Sequence, residues 1–93
     1  MKPFIIIAED EPAVSELLRY NLEAQGYETA IARDGDEALL LIEERTPDLI
    51  LLDWMLPRVS GIEICRRVRS RTDLANLPII MLTAKTEEAD RVR

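Results

Sequence analysis

The stretch Pro47-Asp48-Leu49-Ile50-Leu51-Leu52-Asp53-Trp54-Met55-Leu56-Pro57 decides how the rest of the chain is read. Leu49 to Leu52 is an apolar run without polar alternation, the pattern of a strand covered on both faces. It stops at a carboxylate, Asp53, and a loop follows at Leu56-Pro57. A strand covered on both faces needs helices on both sides, so its neighbours are expected to be amphipathic helices.

Toward the N-terminus the pattern repeats. Thr46-Pro47 ends a helix whose core face is Ala38, Leu41 and Ile42 and whose start is the capping-box pair Asp34 and Glu37. Tyr27 to Ala32 reads as a short strand. Gly26 caps the end of an earlier helix that Pro12 opens. Val14, Leu17, Leu18 and Leu22 are spaced as one apolar face of that helix and are expected to be its core side. Phe4 to Ala8 is another unbroken apolar run, ended by Glu9-Asp10.

Toward the C-terminus, Ser60 and Glu63 form a second capping box, with Ile64, Cys65 and Val68 as the apolar seam of a third helix. Asn76 to Pro78 is a turn. Ile79 to Leu82 is a fourth strand, expected to be buried on both faces and followed by Thr83. Thr86, with Glu87 and Glu88 in the first turn, suits the start of a last helix. The order βαβαβαβ predicts an α/β fold, a doubly wound parallel sheet with right-handed crossovers, in one small domain spanning residues 1–93.

Composition removes whole classes of function. The net charge of −6 opposes a nucleic-acid surface, which needs an excess of Lys and Arg. The absence of histidine excludes His-based metal sites and Ser-His-Asp or Cys-His catalysis. A single cysteine, Cys65, forms no internal disulfide and fits a reducing compartment. No apolar run is long enough to cross a membrane, and Met1-Lys2-Pro3 does not open a signal peptide. The expected location is cytoplasmic.

The chemistry is concentrated in a few acids. In a doubly wound sheet the site lies at the carboxyl ends of the strands, where the winding reverses. Glu9 and Asp10 end the first strand and Asp53 ends the third. If the strand order is 2-1-3-4, these carboxylates converge, with Thr83 following the fourth strand. Like charges about 4 Å apart repel by about 4 kcal/mol per pair at an effective dielectric near 20, so the cluster needs a cation, a proton or solvent. Oxygen donors without histidine select a hard ion, Mg²⁺ above all. A carboxylate is also a nucleophile toward phosphorus. Taken singly, each residue fits a plainer role: Asp53 as a cap, Glu9-Asp10-Glu11 as a solvated helix start, Thr83 as an ordinary strand end. Two buried strands that both end in acids, in this order, favour a site.

These motifs, together with Ser60-Gly61 and Met81-Leu82-Thr83-Ala84, resemble response-regulator receiver (CheY-like) domains, and the likeness runs from Phe4 to Arg93. Leu52 to Pro57 and Thr83 to Val92 are similar to the OmpR/PhoB subfamily. The resemblance implies a flavodoxin-like sheet of order 2-1-3-4, lacking the fifth strand and fifth helix with which the family continues. It implies a non-enzymatic phosphorelay module. Asp53 would be the phosphoacceptor, supplied by a sensor histidine kinase. Glu9, Asp10, Asp53 and the Met55 backbone carbonyl would hold Mg²⁺, and Thr83 would be the switch hydroxyl. DNA would be reached through an effector domain outside this chain, and transcription regulated that way. The family's lysine ends its fifth strand, so Lys85 is no substitute by motif. Two alternatives stay open: a phosphorylation-independent interaction module, and an aspartyl-phosphate phosphatase, which would normally carry a second Asp where Met55 stands. The uncovered edge of Ile79 to Leu82 suggests self-association.

Overall fold

The two acid-ended apolar runs lie side by side at the centre of a sheet. The computed structural model describes residues 2–82 and orders them as β1 Phe4–Ala8, α1 Pro12–Ala24, β2 Glu28–Ala32, α2 Gly35–Glu44, β3 Leu49–Asp53, α3 Gly61–Ser70, a 3₁₀ turn Thr72–Leu74 and β4 Ile79–Leu82. Thr83, Lys85 and the helix expected from Thr86 lie outside the described residues. The four described strands are parallel in the order β2-β1-β3-β4. Ala8 pairs with Leu52 and Asp53 with Leu82, so the carboxyl ends of β1, β3 and β4 are level. This is the expected fold class and strand order.

Local signals set the helix ends. Gly26 adopts φ 94, the left-handed region that a residue without Cβ enters freely. Its N–H bonds the Glu23 carbonyl at 3.0 Å, and the Tyr27 N–H bonds the Leu22 carbonyl at 3.1 Å. Those two bonds, with Leu22 and Tyr27 packed in one cluster, are a Schellman motif. Tyr27 therefore belongs to the helix stop, and β2 starts one residue later than expected. At α2 the Asp34 side chain accepts from the Glu37 N–H at 2.8 Å, while the Glu37 carboxylate reaches back to the Arg33 N–H at 2.9 Å. At α3 only the forward half of the capping box forms. Ser60 accepts from the Glu63 N–H at 3.2 Å, but the Glu63 carboxylate pairs with Arg66 and Arg67 instead.

The sheet separates two apolar clusters. On one face Phe4, Ile6, Ala8, Ile50 and Leu52 pack with Ala38 and Ile42 of α2 and Ile64 and Val68 of α3. On the other face Ile5, Ile7 and Leu51 meet Leu18 and Leu22 of α1. Two expectations need correction on this second face. Val14 and Leu17 do not enter the core; Leu17 is 61% exposed, and the residue α1 buries fully is Ser15. Ser15 is tolerated there because its hydroxyl donates to the Pro12 carbonyl at 3.3 Å. Strand β4 is not buried on both faces, since Ile80 is 52% exposed. Helix α1 packs chiefly on β1 and β2, so among the described residues little covers that side of β4.

Candidate functional site

Parallel pairing puts every strand's carboxyl end at one edge of the sheet, and the sequence placed acids at two of those ends. Glu9, Asp10 and Asp53 each bring one carboxylate oxygen to within 4.8 Å of the others. Glu9 and Asp53 are buried, whereas Asp10 is exposed. At this spacing, and with an effective dielectric near 20, each pair of ionised carboxylates repels by about 3.5 kcal/mol. All three donors are oxygens, which suits a hard divalent cation and not a soft one.

Backbone donors hold the two buried acids, Glu9 and Asp53, in place. The Glu11 N–H donates to Glu9 Oε2 at 3.0 Å, which ties the buried carboxylate to the first turn of α1. That N–H is one of the amides a helix start leaves without a helical partner. The Met55 N–H donates to Asp53 Oδ1 at 3.1 Å and fixes the rotamer of the carboxylate that ends β3. Leu56 then drops into the core, 6% exposed, and anchors the loop beyond Met55. Trp54 is half-buried beside Asp53, and the Met55 side chain points outward, 59% exposed. Thr83, the expected switch hydroxyl, follows Leu82 and lies outside the described residues.

Sequence reasoning missed the close approach of α3 to this loop. The Gly61 N–H donates to the Trp54 carbonyl at 3.0 Å, and a Cβ on Gly61 would stand 2.6 Å from the Asp53 carbonyl oxygen. Glycine lets the start of α3 rest on the peptide that carries Asp53. The pair Ser60-Gly61 was legible as a motif, but the contact behind it was not. A separate groove between α2 and α3 has an apolar floor of Ile42, Val68 and Leu74. It lies toward the carboxyl ends of those helices, and its arginines, Arg67 and Arg71, pair with Glu63, Glu43 and Asp73.

Similarity to known proteins identifies the family to which this site belongs. The family model "Response regulator receiver domain" matches residues 5–93. The chain belongs to this family. The receiver is 60% identical over 93 residues to the phosphate regulon transcriptional regulatory protein PhoB of Rhizobium meliloti, covering 100% of this chain and 41% of that protein. It is 48% identical over 92 residues to the alkaline phosphatase synthesis transcriptional regulatory protein PhoP of Bacillus subtilis, covering 99% of this chain and 38% of that protein. The receiver thus spans about two-fifths of the length of these relatives. Among solved structures it is similar to the chemotaxis response regulator CheY4 of Vibrio cholerae, with a TM-score of 0.86 at 27% identity, over 98% of this chain and 77% of that one. The expected likeness to the OmpR/PhoB type of receiver is borne out. Among the described residues no helix is long and apolar enough to cross a membrane.

Proposed function

We propose that this receiver accepts a phosphoryl group on Asp53 from a sensor histidine kinase. Glu9, Asp10, Asp53 and the backbone carbonyl of Met55 would hold Mg²⁺ for the transfer. The observation that carries the reading is the convergence of three carboxylate oxygens within 4.8 Å at the end of β3. When bound, Mg²⁺ supplies charge neutralisation for phosphoryl oxygens and for the crowded acids. Asp53 is the nucleophile. One carboxylate oxygen forms the new O–P bond as the N–P bond of the donor phosphohistidine breaks, and the departing nitrogen keeps the electron pair and takes a proton. The Met55 N–H holds the carboxylate through Oδ1, so the attacking group is oriented before the donor arrives. Thr83 is proposed as the hydroxyl that donates to a phosphoryl oxygen, on the strength of its place directly after Leu82, the register partner of Asp53.

The site is read as an acceptor without turnover. A phosphatase of this chemistry needs an acid–base group two residues after its nucleophile, and the receiver has Met55 there, directed outward. The relatives are transcriptional regulators by name. From that we infer an effector domain that binds DNA beyond this chain, and a cytoplasmic setting shared with the kinase. Self-association of the chain is proposed on the exposure of Leu17, Tyr20 and Ile80 on its surface.

Mass spectrometry after incubation with acetyl phosphate and Mg²⁺ tests the acceptor. Addition of one phosphate to the wild type is expected, with none on Asp53→Ala and full addition on Asp48→Asn, whose carboxylate sits at the opposite end of β3. Equal labelling of wild type and Asp53→Ala would remove Asp53 from the role.

A further inference from the structure

The loop that carries Met55 is held at two places, on two helices that contribute no acid to the site. Its base is closed by the bond from the Gly61 N–H to the Trp54 carbonyl. Its outer half leans on the first turn of α2. There the Gly35 N–H donates to the Pro57 carbonyl at 3.0 Å, and Arg58 Nε donates to Asp36 Oδ2 at 2.7 Å. A Cβ on Gly35 would stand 2.7 Å from the Val59 carbonyl carbon, and nearer still to the carbonyl oxygen and Cβ of Val59. No side chain fits there without moving the loop. Arg58 holds φ 72, the left-handed region that residues with a Cβ avoid. Such a conformation persists where its surroundings over-determine it.

We propose that Gly35, with the Asp36–Arg58 pair, is a positioning element for the ligand set. It seats Pro57 to Val59 on α2 and thereby sets where the Met55 carbonyl stands relative to Asp53. The inference rests on the proposed metal site. Trp54 is pinned by α3, Pro57 is pinned by α2, and Leu56 is buried between them. A methyl group added at position 35 pushes Pro57 to Val59 against a fixed base. The peptide groups of Met55 and Leu56 are the links left to take up the change. Misplacing a group that orients a metal ligand typically lowers metal affinity by about 10–100-fold.

The test is a titration of Trp54 fluorescence with Mg²⁺ on the full chain, beside thermal unfolding of each variant. Gly35→Ala is expected to raise Kd by about tenfold or more. Arg58→Ala, which cuts an exposed tether, is expected to raise it by about two- to threefold. Gly26→Ala is the control. It strains a positive φ with nothing within 4 Å of the new Cβ, so it should lower the unfolding midpoint and leave Kd unchanged. Loss of affinity by Gly35→Ala beyond that of an equally destabilised Gly26→Ala separates positioning from mere support. A folded Gly35→Ala protein with the wild-type Kd overturns the inference. If Gly35→Ala does not fold, Arg58→Ala decides: an unchanged Kd together with unchanged hydrogen exchange at the Met55 amide overturns it. A wild type without a saturable response, or an Asp53→Ala variant that responds as the wild type does, would sink the metal reading and with it this role for Gly35, whereas a wild-type Kd in folded Gly35→Ala beside a normal wild-type response overturns the positioning role alone.

Discussion

The two faces of this sheet use the same apolar residues and finish differently. Helices α2 and α3 both lie on one face, where Ile6, Ile50, Leu52 and Ile64 are all 0% exposed. The other face has α1 alone among the described residues, and there Leu17 and Ile80 keep 61% and 52% of their surface. The arithmetic of widths explains the contrast. Strands about 4.8 Å apart make a four-stranded sheet roughly 15 Å wide between its outer strands, and a helix with its side chains is about 10–12 Å across. One helix covers two strands, and two are needed for four.

The largest effect expected from this contrast separates Ile64→Ala from Leu17→Ala. Ile64 is fully enclosed between α3 and the sheet, so its truncation should cost about 2–5 kcal/mol in urea denaturation, cavity included. Leu17→Ala should cost no more than about 0.5 kcal/mol, because most of that side chain already meets water. Comparable losses would mean that α1 is packed in solution by something that covers Leu17. A smaller effect is expected from Ile80→Lys. It should change folding stability by about 0.5 kcal/mol or less while reducing concentration-dependent light scattering, since it places a charge on an apolar strand face. Unchanged scattering would dissociate Ile80 from self-association.

The smallest effect concerns the rim of the well-packed face. Hydrogen bonds from Arg67 and Arg66 hold the Glu63 carboxyl below its ordinary value of 4.5. A depressed carboxyl contributes stability above that ordinary value and loses it as pH falls through the folded value. Glu63→Gln should therefore lower the thermal midpoint slightly near neutral pH, and the difference from wild type should shrink as pH drops below 4.5. A difference that persists in acid would point to packing, not charge, as the role of Glu63.

The parts of this fold legible in the sequence were those with local causes. Pro12, Gly26, Asp34 and Ser60 are punctuation whose physics acts within a few residues, and each marks a real helix end. The unbroken runs at Phe4 and Leu49 mark the central strands, and both acid-bearing ends meet as expected. What escaped depended on distance in the chain. The apolar stripe of α1 was visible, but how much sheet it had to cover was not, so Leu17 was misplaced and Ser15 overlooked. Gly35 carries no local signal of its role, because its contact is with Val59, far along the chain. Arg58 carries no residue-type signal for a positive φ; only the loop it sits in requires one.

The Asp48 carboxylate has a consequence for when this site comes into being. It accepts the Phe4 N–H at 2.7 Å across 44 residues of chain, while the Asp48 N–H returns a bond of 2.7 Å to the Phe4 carbonyl. This double stitch locks the register of β1 on β3, in a parallel pairing where a slip of one residue would turn every side chain to the wrong face. Because β1 pairs with β3 as well as with β2, it stays half-paired until β3, far later in the chain, has been made. At about 5–20 residues per second, that leaves β1 waiting for several seconds. The acids at Glu9 and Asp10 are therefore made early and stay apart from Asp53 through that wait. Their repulsion with Asp53 arises only once the pairing of β1 with β3 is in place to hold them together.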